Sequence, residues 1–115
     1  MPKKLMAANW KMYKTRQEAA ETARETVVAV GNQLPEDREV LIIPPFTALA
    51  DTLAGLSGAQ GFSLGAQNFY PEQEGAFTGE ISPAQLIDAG CSYALVGHSE
   101  RRHVLGEDDE FLAAK

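Results

Sequence analysis

Tyr93-Ala-Leu-Val-Gly-His-Ser-Glu-Arg-Arg102 is a short apolar run that ends abruptly in a histidine, a carboxylate and two guanidiniums. Tyr93 to Val96 reads as a buried strand that delivers polar side chains at its tip. In α/β proteins with parallel sheets, ligands sit outside the carboxyl ends of the strands, so His98 and Glu100 fall where reactive groups are expected.

Upstream, Leu5 to Asn9 reads as a strand, and Thr15 opens a helix through a capping box with Glu18. Ala19, Ala20, Ala23, Val27 and Val30 recur at helical spacing until Gly31-Asn32 and Pro35 stop them. Val40 to Ile43 is a continuous apolar run cut by Pro44-Pro45, the pattern of a strand buried on both faces. Thr47 to Leu56 places Leu49, Leu53 and Leu56 along one helical face. Phe62 to Gln67 reads as a strand interrupted by Gly65, and Ser82-Pro83-Ala84-Gln85 caps a helix that Gly90 closes. Gly106-Glu107-Asp108-Asp109 sets acidic residues at the start of a last helix, where the macrodipole favours them, and that helix contains Lys115.

The order is strand then helix, four times, without close repetition of sequence. Such alternation implies a parallel sheet with right-handed crossovers. A small open doubly wound sheet and half of an eight-fold barrel both satisfy it, since doubling 115 residues approaches the ~250 typical of the barrel. Chemistry-bearing residues follow both the first and the fourth strand, and they share one mouth only if the sheet curls. That selects an α/β fold of the (β/α)8 barrel type, with this chain covering about the first four βα units.

Composition narrows the function classes. The net charge of −6 argues against nucleic-acid partners and against an anionic membrane surface, both of which call for a basic face. Met1-Pro2-Lys3-Lys4 leads into too few apolar residues for a signal peptide, and no run approaches a membrane span, so a cytoplasmic location is expected. The single cysteine, Cys91, has no partner for an internal disulfide or a metal-site spacing and reads as a small reduced core residue.

Asn9-Trp10-Lys11 sits just past the first strand, where the lysine can neutralise a phosphate or an oxyanion and the asparagine can bond the same oxygen; Trp10 reads as packing. If Ser99-Glu100-Arg101-Arg102 begins a helical turn, His98 lies at its positive end, which disfavours imidazolium and suits a neutral hydrogen-bond donor. Glu100 reads as salt-bridged by its neighbours Arg101 and Arg102, and His103 as a surface residue. The long connection Asn68 to Glu80, with Phe69, Tyr70 and Phe77, reads as a loop that docks into a partner, the alternative being that Phe69 and Phe77 fold back on their own core.

Ala8-Asn9-Trp10-Lys11-Met12, Pro44-Pro45-Phe46, Gly65-Ala66-Gln67-Asn68, Gly75-Ala76-Phe77-Thr78-Gly79-Glu80-Ile81-Ser82 and Val96-Gly97-His98-Ser99-Glu100-Arg101-Arg102 together resemble the triosephosphate isomerase family, in that family's order and spacing along the whole chain. The resemblance implies that residues 1–115 are the amino-terminal half of a single barrel domain. It further implies interconversion of dihydroxyacetone phosphate and D-glyceraldehyde 3-phosphate through an enediolate, in glycolysis and gluconeogenesis, without metal or organic cofactor. On that resemblance Asn9 and Lys11 match the substrate-binding pair, Lys11 and His98 the catalytic groups, Glu100 a supporting acidic residue near the lysine, and Ser99 a supporting position. Phe77, Thr78, Glu80 and Arg101 match the interface of a homodimer. Tyr13 departs from the asparagine often found at that position.

The family's glutamate base, in a Glu-Pro-x-Trp context after the sixth strand, and its glycine-rich phosphate turns do not occur in these 115 residues. The isolated chain is therefore expected to be inactive, because proton abstraction from carbon lacks its group. The alternatives are a non-catalytic half-barrel that self-associates through its open edges, and a phosphosugar-binding module built on Lys11 and Asn9.

Overall fold

The apolar run Val40–Ile43 lies at the centre of a four-stranded sheet. The computed structural model describes residues 3–115. In it β1 (Lys4–Asn9), β2 (Arg38–Ile43), β3 (Phe62–Ala66) and β4 (Cys91–Ala94) pair in sequential order, every pair parallel. Met1 and Pro2, the first two positions weighed as a signal peptide, lie outside the described residues. A doubly wound sheet reverses its strand order at a switch point, and the order β1-β2-β3-β4 contains no reversal among the described residues. The helices agree: α1 (Arg16–Val30) and α2 (Leu49–Leu56) pack against each other, and their Ala23 and Leu56 bury against Val40 and Ile42. The architecture is about four βα units of a (β/α)8 barrel, with helices outside the strands.

Strand alternation divides the core into two layers. Val40 and Ile42 face α1 and α2, whereas Leu41 and Ile43 face the concave side together with Gly65 and Tyr93. All four apolar residues of β2 are buried, and full burial of such a side chain contributes about 1.5–3 kcal/mol. Gly65 is part of this packing and also marks the interruption read from the sequence, since the β3–β4 register shifts between Leu64 and Gly65. A Cβ there would lie 3.0 Å from Leu41 Cδ1 and 3.2 Å from Ile43 Cγ1, so the inner layer is already filled at that point. A second cluster of Leu49, Leu64, Ala66 and Leu86 joins α2, β3 and α3 (Pro83–Asp88), with Phe46 and Phe69 against it.

Local signals in the sequence place the helix starts. Thr15 and Ser82 each accept from the backbone N–H three residues on, while Glu18 and Gln85 reach back to the cap, so both capping boxes form. The second helix differs from its reading. Phe46–Ala48 is a 3-10 turn, α2 begins at Leu49, and Leu53 is exposed, lying over Gly90 instead of in the core with Leu49 and Leu56.

The fourth strand needs the largest correction. It runs from Cys91 to Ala94, not Tyr93 to Val96, and it is the sheet's edge, with Tyr93 39% and Val96 49% exposed. A strand paired on one side only cannot be buried as β2 is. Cys91 is accordingly half-buried, and desolvation raises its thiol pKa. The long loop divides between its two readings: Phe69 packs on the second core cluster, while Phe77 stays exposed and stacks on Tyr70 with ring centroids 4.3 Å apart. Beyond β4 the chain forms α4 (Ser99–His103) and α5 (Asp109–Ala114).

Candidate active site at the carboxyl ends of β1, β3 and β4

Asn9 is the last residue of β1 and pairs in register with Ile43, so its side chain belongs to the concave layer. Its Oδ1 accepts the Lys11 N–H at 2.9 Å. This closes a tight turn in which Lys11 adopts a left-handed φ of 55°, a conformation a lysine keeps only when its surroundings hold it. Gln67, just past β3, supplies that hold by donating from Nε2 to the Lys11 carbonyl at 2.7 Å and to the Ile43 carbonyl at 3.2 Å. Trp10 donates its N–H to the Ile43 carbonyl and packs against the first core cluster.

On the other side of the mouth, Gly97 has a φ of +70°, and a Cβ there would sit 3.3 Å from the Arg102 guanidinium and from Leu112. The turn it allows makes His98 the cap of α4, its Nδ1 accepting the Glu100 N–H at 3.2 Å. A ring nitrogen that accepts a hydrogen bond carries no proton, so this bond assigns a neutral imidazole with its hydrogen on Nε2. Glu100 Oε2 stands 3.6 Å from the same nitrogen, outside hydrogen-bond range.

Glu100 pairs with Lys11, at 2.8 Å from Nζ, and not with Arg101 or Arg102 as the local sequence suggested. The reason is helical geometry: adjacent residues on a helix point in different directions. Arg101 forks onto Glu107 at 3.0 and 2.9 Å, and Arg102 reaches Asp109 at 2.7 Å. The Lys11 hydrogen bond, followed by its charge, holds the Glu100 carboxyl below its ordinary range, and the same contact raises Lys11. Both side chains are about half exposed, so the pair orients groups more than it stabilises the fold.

The structure thus gathers Asn9, Lys11, His98 and Glu100 around one cleft that Gln67 and Leu95 also line. Ser99 is exposed at the first position of α4. Thr78 and Glu80 lie on the exposed loop, away from this cleft, and Arg101 borders the cleft while its guanidinium turns to Glu107. Gln67 carried no individual role in the sequence reading; the signal for it was a polar side chain immediately after an apolar strand. No group of His, Cys, Asp and Glu among the described residues is arranged to hold a metal ion, and no helix among them is long and apolar enough to cross a membrane.

Two further carboxylates lie away from the cleft, Glu39 buried and Glu107 partly buried. Glu39, expected by nothing in the sequence, accepts from Ser63 Oγ at 2.5 Å and Tyr93 Oη at 3.0 Å. Those bonds, Ser63's first, hold its carboxyl below the ordinary range against the opposing effect of burial. Glu107 was read as a first-turn residue of the last helix, but Asp108 is that helix's cap and Glu107 turns inward to Arg101 and Lys115. Burial by itself raises the Glu107 carboxyl; Arg101 and Lys115 outweigh it and leave the group lowered. A carboxyl with a depressed pKa in the folded state stabilises the fold above its unfolded pKa, and that stability is lost as pH falls through the folded value. Urea midpoints are therefore expected to fall as pH drops below about 4.5, the ordinary value for these groups. Glu39→Gln should flatten that acid dependence, and an unchanged slope would contradict the assignment.

Comparison with known proteins identifies the family of the chain. The family model described as triosephosphate isomerase matches residues 4–115. A triosephosphate isomerase of Nitratidesulfovibrio vulgaris is 60% identical over 113 residues, covering 98% of this chain and 45% of the relative. Those of Oleidesulfovibrio alaskensis and Chloroflexus aurantiacus are 61% and 51% identical, over 98% and 96% of this chain and 45% and 43% of the relatives. The chain spans somewhat less than half the length of these curated relatives.

Proposed function

Because the chain belongs to the triosephosphate isomerase family, we propose that residues 1–115 form the amino-terminal half of one barrel domain and supply the substrate-binding and electrophilic half of an isomerase site. The reaction is the interconversion of dihydroxyacetone phosphate and D-glyceraldehyde 3-phosphate, a step of glycolysis and gluconeogenesis, in the cytoplasm and by a homodimer. The observation that carries this reading is the His98 Nδ1 bond to the Glu100 N–H, which leaves Nε2–H as a donor beside Lys11 and Asn9.

In this reading the substrate's carbonyl oxygen accepts from His98 Nε2. As a base removes the proton from the adjacent carbon, negative charge gathers on that oxygen, and a preorganised neutral donor and a nearby cation stabilise it. Lys11 supplies the cation, and the Asn9 side-chain amide supplies a further donor, its Oδ1 being occupied by the Lys11 N–H. Triosephosphate isomerase is itself the standing example of a glutamate base working with a neutral histidine, so that pairing comes from the family and not from these residues. Glu100 holds Lys11 in place and stays ionised through that contact. Thr78, Phe77, Glu80 and Arg101 face the second subunit in this proposal, with Phe77 exposed to meet it.

No Glu-Pro-x-Trp run occurs in the 115 residues, and the purified chain is expected to show no isomerase turnover above background. Robust turnover that His98→Ala abolishes would overturn that expectation. The exposed edges favour a second reading for the isolated polypeptide. β1 pairs on one side only, with Leu5 45% and Met6 48% exposed, and β4 is the opposite edge. Parallel edges invite strand addition, so light scattering at rising concentration is expected to show self-association, and a constant monomer mass would rule it out.

A further inference from the structure

Glu107 lies outside the cleft, yet it is tied to both sides of it. Its side chain is 9% exposed, and it faces Lys115, whose side chain is completely buried. Lys115 Nζ donates to both Glu107 oxygens at 3.1 Å and to Asn68 Oδ1 at 2.5 Å. Asn68 is buried and follows Gln67, the residue that grips the Lys11 carbonyl. In the other direction Glu107 takes the Arg101 fork, and Arg101 donates its own N–H to the His98 carbonyl at 2.9 Å. The Glu107 N–H bonds the Arg101 carbonyl at 3.0 Å, so backbone and side chain clamp the same turn.

We infer that Glu107 is a positioning residue: by holding Arg101 on one side and Lys115 with Asn68 on the other, it fixes the α4 turn that carries His98 and Glu100 against the β3 tip that holds Lys11. A carboxylate whose side chain is largely shielded and shared by two cations suits this task. Lys115, whose side chain is completely buried, would be costly to leave unpaired, so the arrangement resists small displacements. The contact it sets is the 2.8 Å approach of Lys11 to Glu100, which joins the two sides of the mouth. Calling that mouth catalytic rests on the isomerase reading; the geometric claim does not.

The test uses the 115-residue chain without substrate, so its outcome is separate from that of the isomerase assay. Glu107→Gln and Lys115→Met are compared with the parent by nuclear magnetic resonance, following the Glu100 side-chain carboxyl through an acid titration and the His98 ring nitrogens. Glu107→Gln leaves two cations facing a neutral amide, and Lys115→Met keeps the Arg101 pair while cutting the link to Asn68. In each folded variant the Glu100 carboxyl is expected to titrate at higher pH than in the parent, because Lys11 no longer stands beside it. The His98 signals are expected to move from the fixed Nε2–H form toward the average of two tautomers. A purely stabilising role would lower the melting temperature and leave both signals where they were. That result in either variant, including in Lys115→Met alone if Glu107→Gln does not fold, would overturn the inference.

Discussion

His98→Ala, in a barrel completed by a carboxyl-half polypeptide, is expected to lower kcat roughly 10²–10³-fold with a much smaller change in KM. The magnitude is that of removing one preorganised donor from an oxyanion site. The asymmetry follows from when the bond matters. In the proposed reaction Nε2–H would meet a weakly polarised carbonyl oxygen in the bound substrate and a nearly full negative charge in the transition state, so its loss would fall on the chemical step. The cap bond to the Glu100 N–H makes a second substitution informative. His98→Gln keeps a side-chain donor but gives up the ring that fixes its direction, and it should recover only part of the lost rate. Equal losses in kcat/KM and binding, with kcat unchanged, would show that His98 merely holds substrate.

Lys11→Met is expected to weaken binding of a triose phosphate by roughly 10- to 100-fold, the ordinary value of a charge-assisted hydrogen bond to an anionic ligand. It should also release Glu100. With the ammonium gone, the depressed Glu100 carboxyl returns upward toward its ordinary range, which side-chain titration reads directly. The fold should tolerate the change, since Lys11 lies on an exposed turn and its long side chain is about half exposed. Lys11→Arg separates charge from geometry: the guanidinium keeps the positive charge but is planar and larger than the ammonium. Calorimetry showing affinity preserved in Lys11→Met would remove Lys11 from the binding site.

Much of this arrangement was legible where the governing interactions are local. Thr15 with Glu18 and Ser82 with Gln85 announce their helices because the cap and its partner are three residues apart. The Val40–Ile43 run announces the central strand because apolar content on both faces has few other outcomes. The placement of Asn9 at the end of β1 followed from the order of elements, whereas His98 lies in the turn beyond β4, as the cap of α4. What failed depended on distant partners. The family resemblance set Glu100 near the lysine, but its immediate sequence pointed to the two arginines beside it, which the helical turn sends to Glu107 and Asp109 while Lys11 arrives from the end of β1. Glu107 could be read as a helix-start acid until Lys115 and Asn68 were seen to surround it. Glu39 joins Ser63 and Tyr93 only because three strands lie side by side. The boundaries of β4 went astray because apolarity reports burial, whereas pairing with β3 decides where a strand runs.

The chain's family and its half-barrel fold leave one claim at the centre: these residues carry the neutral-histidine and lysine side of an isomerase site that is complete only with a carboxyl half. Co-refolding the 115-residue chain with the carboxyl half of the Nitratidesulfovibrio vulgaris triosephosphate isomerase, which is 60% identical over the matched region, tests that claim most directly. The account predicts isomerisation of dihydroxyacetone phosphate by the mixture, by neither polypeptide alone, and not when the chain carries His98→Ala. A folded mixture without activity, or one whose activity is indifferent to His98, would contradict it.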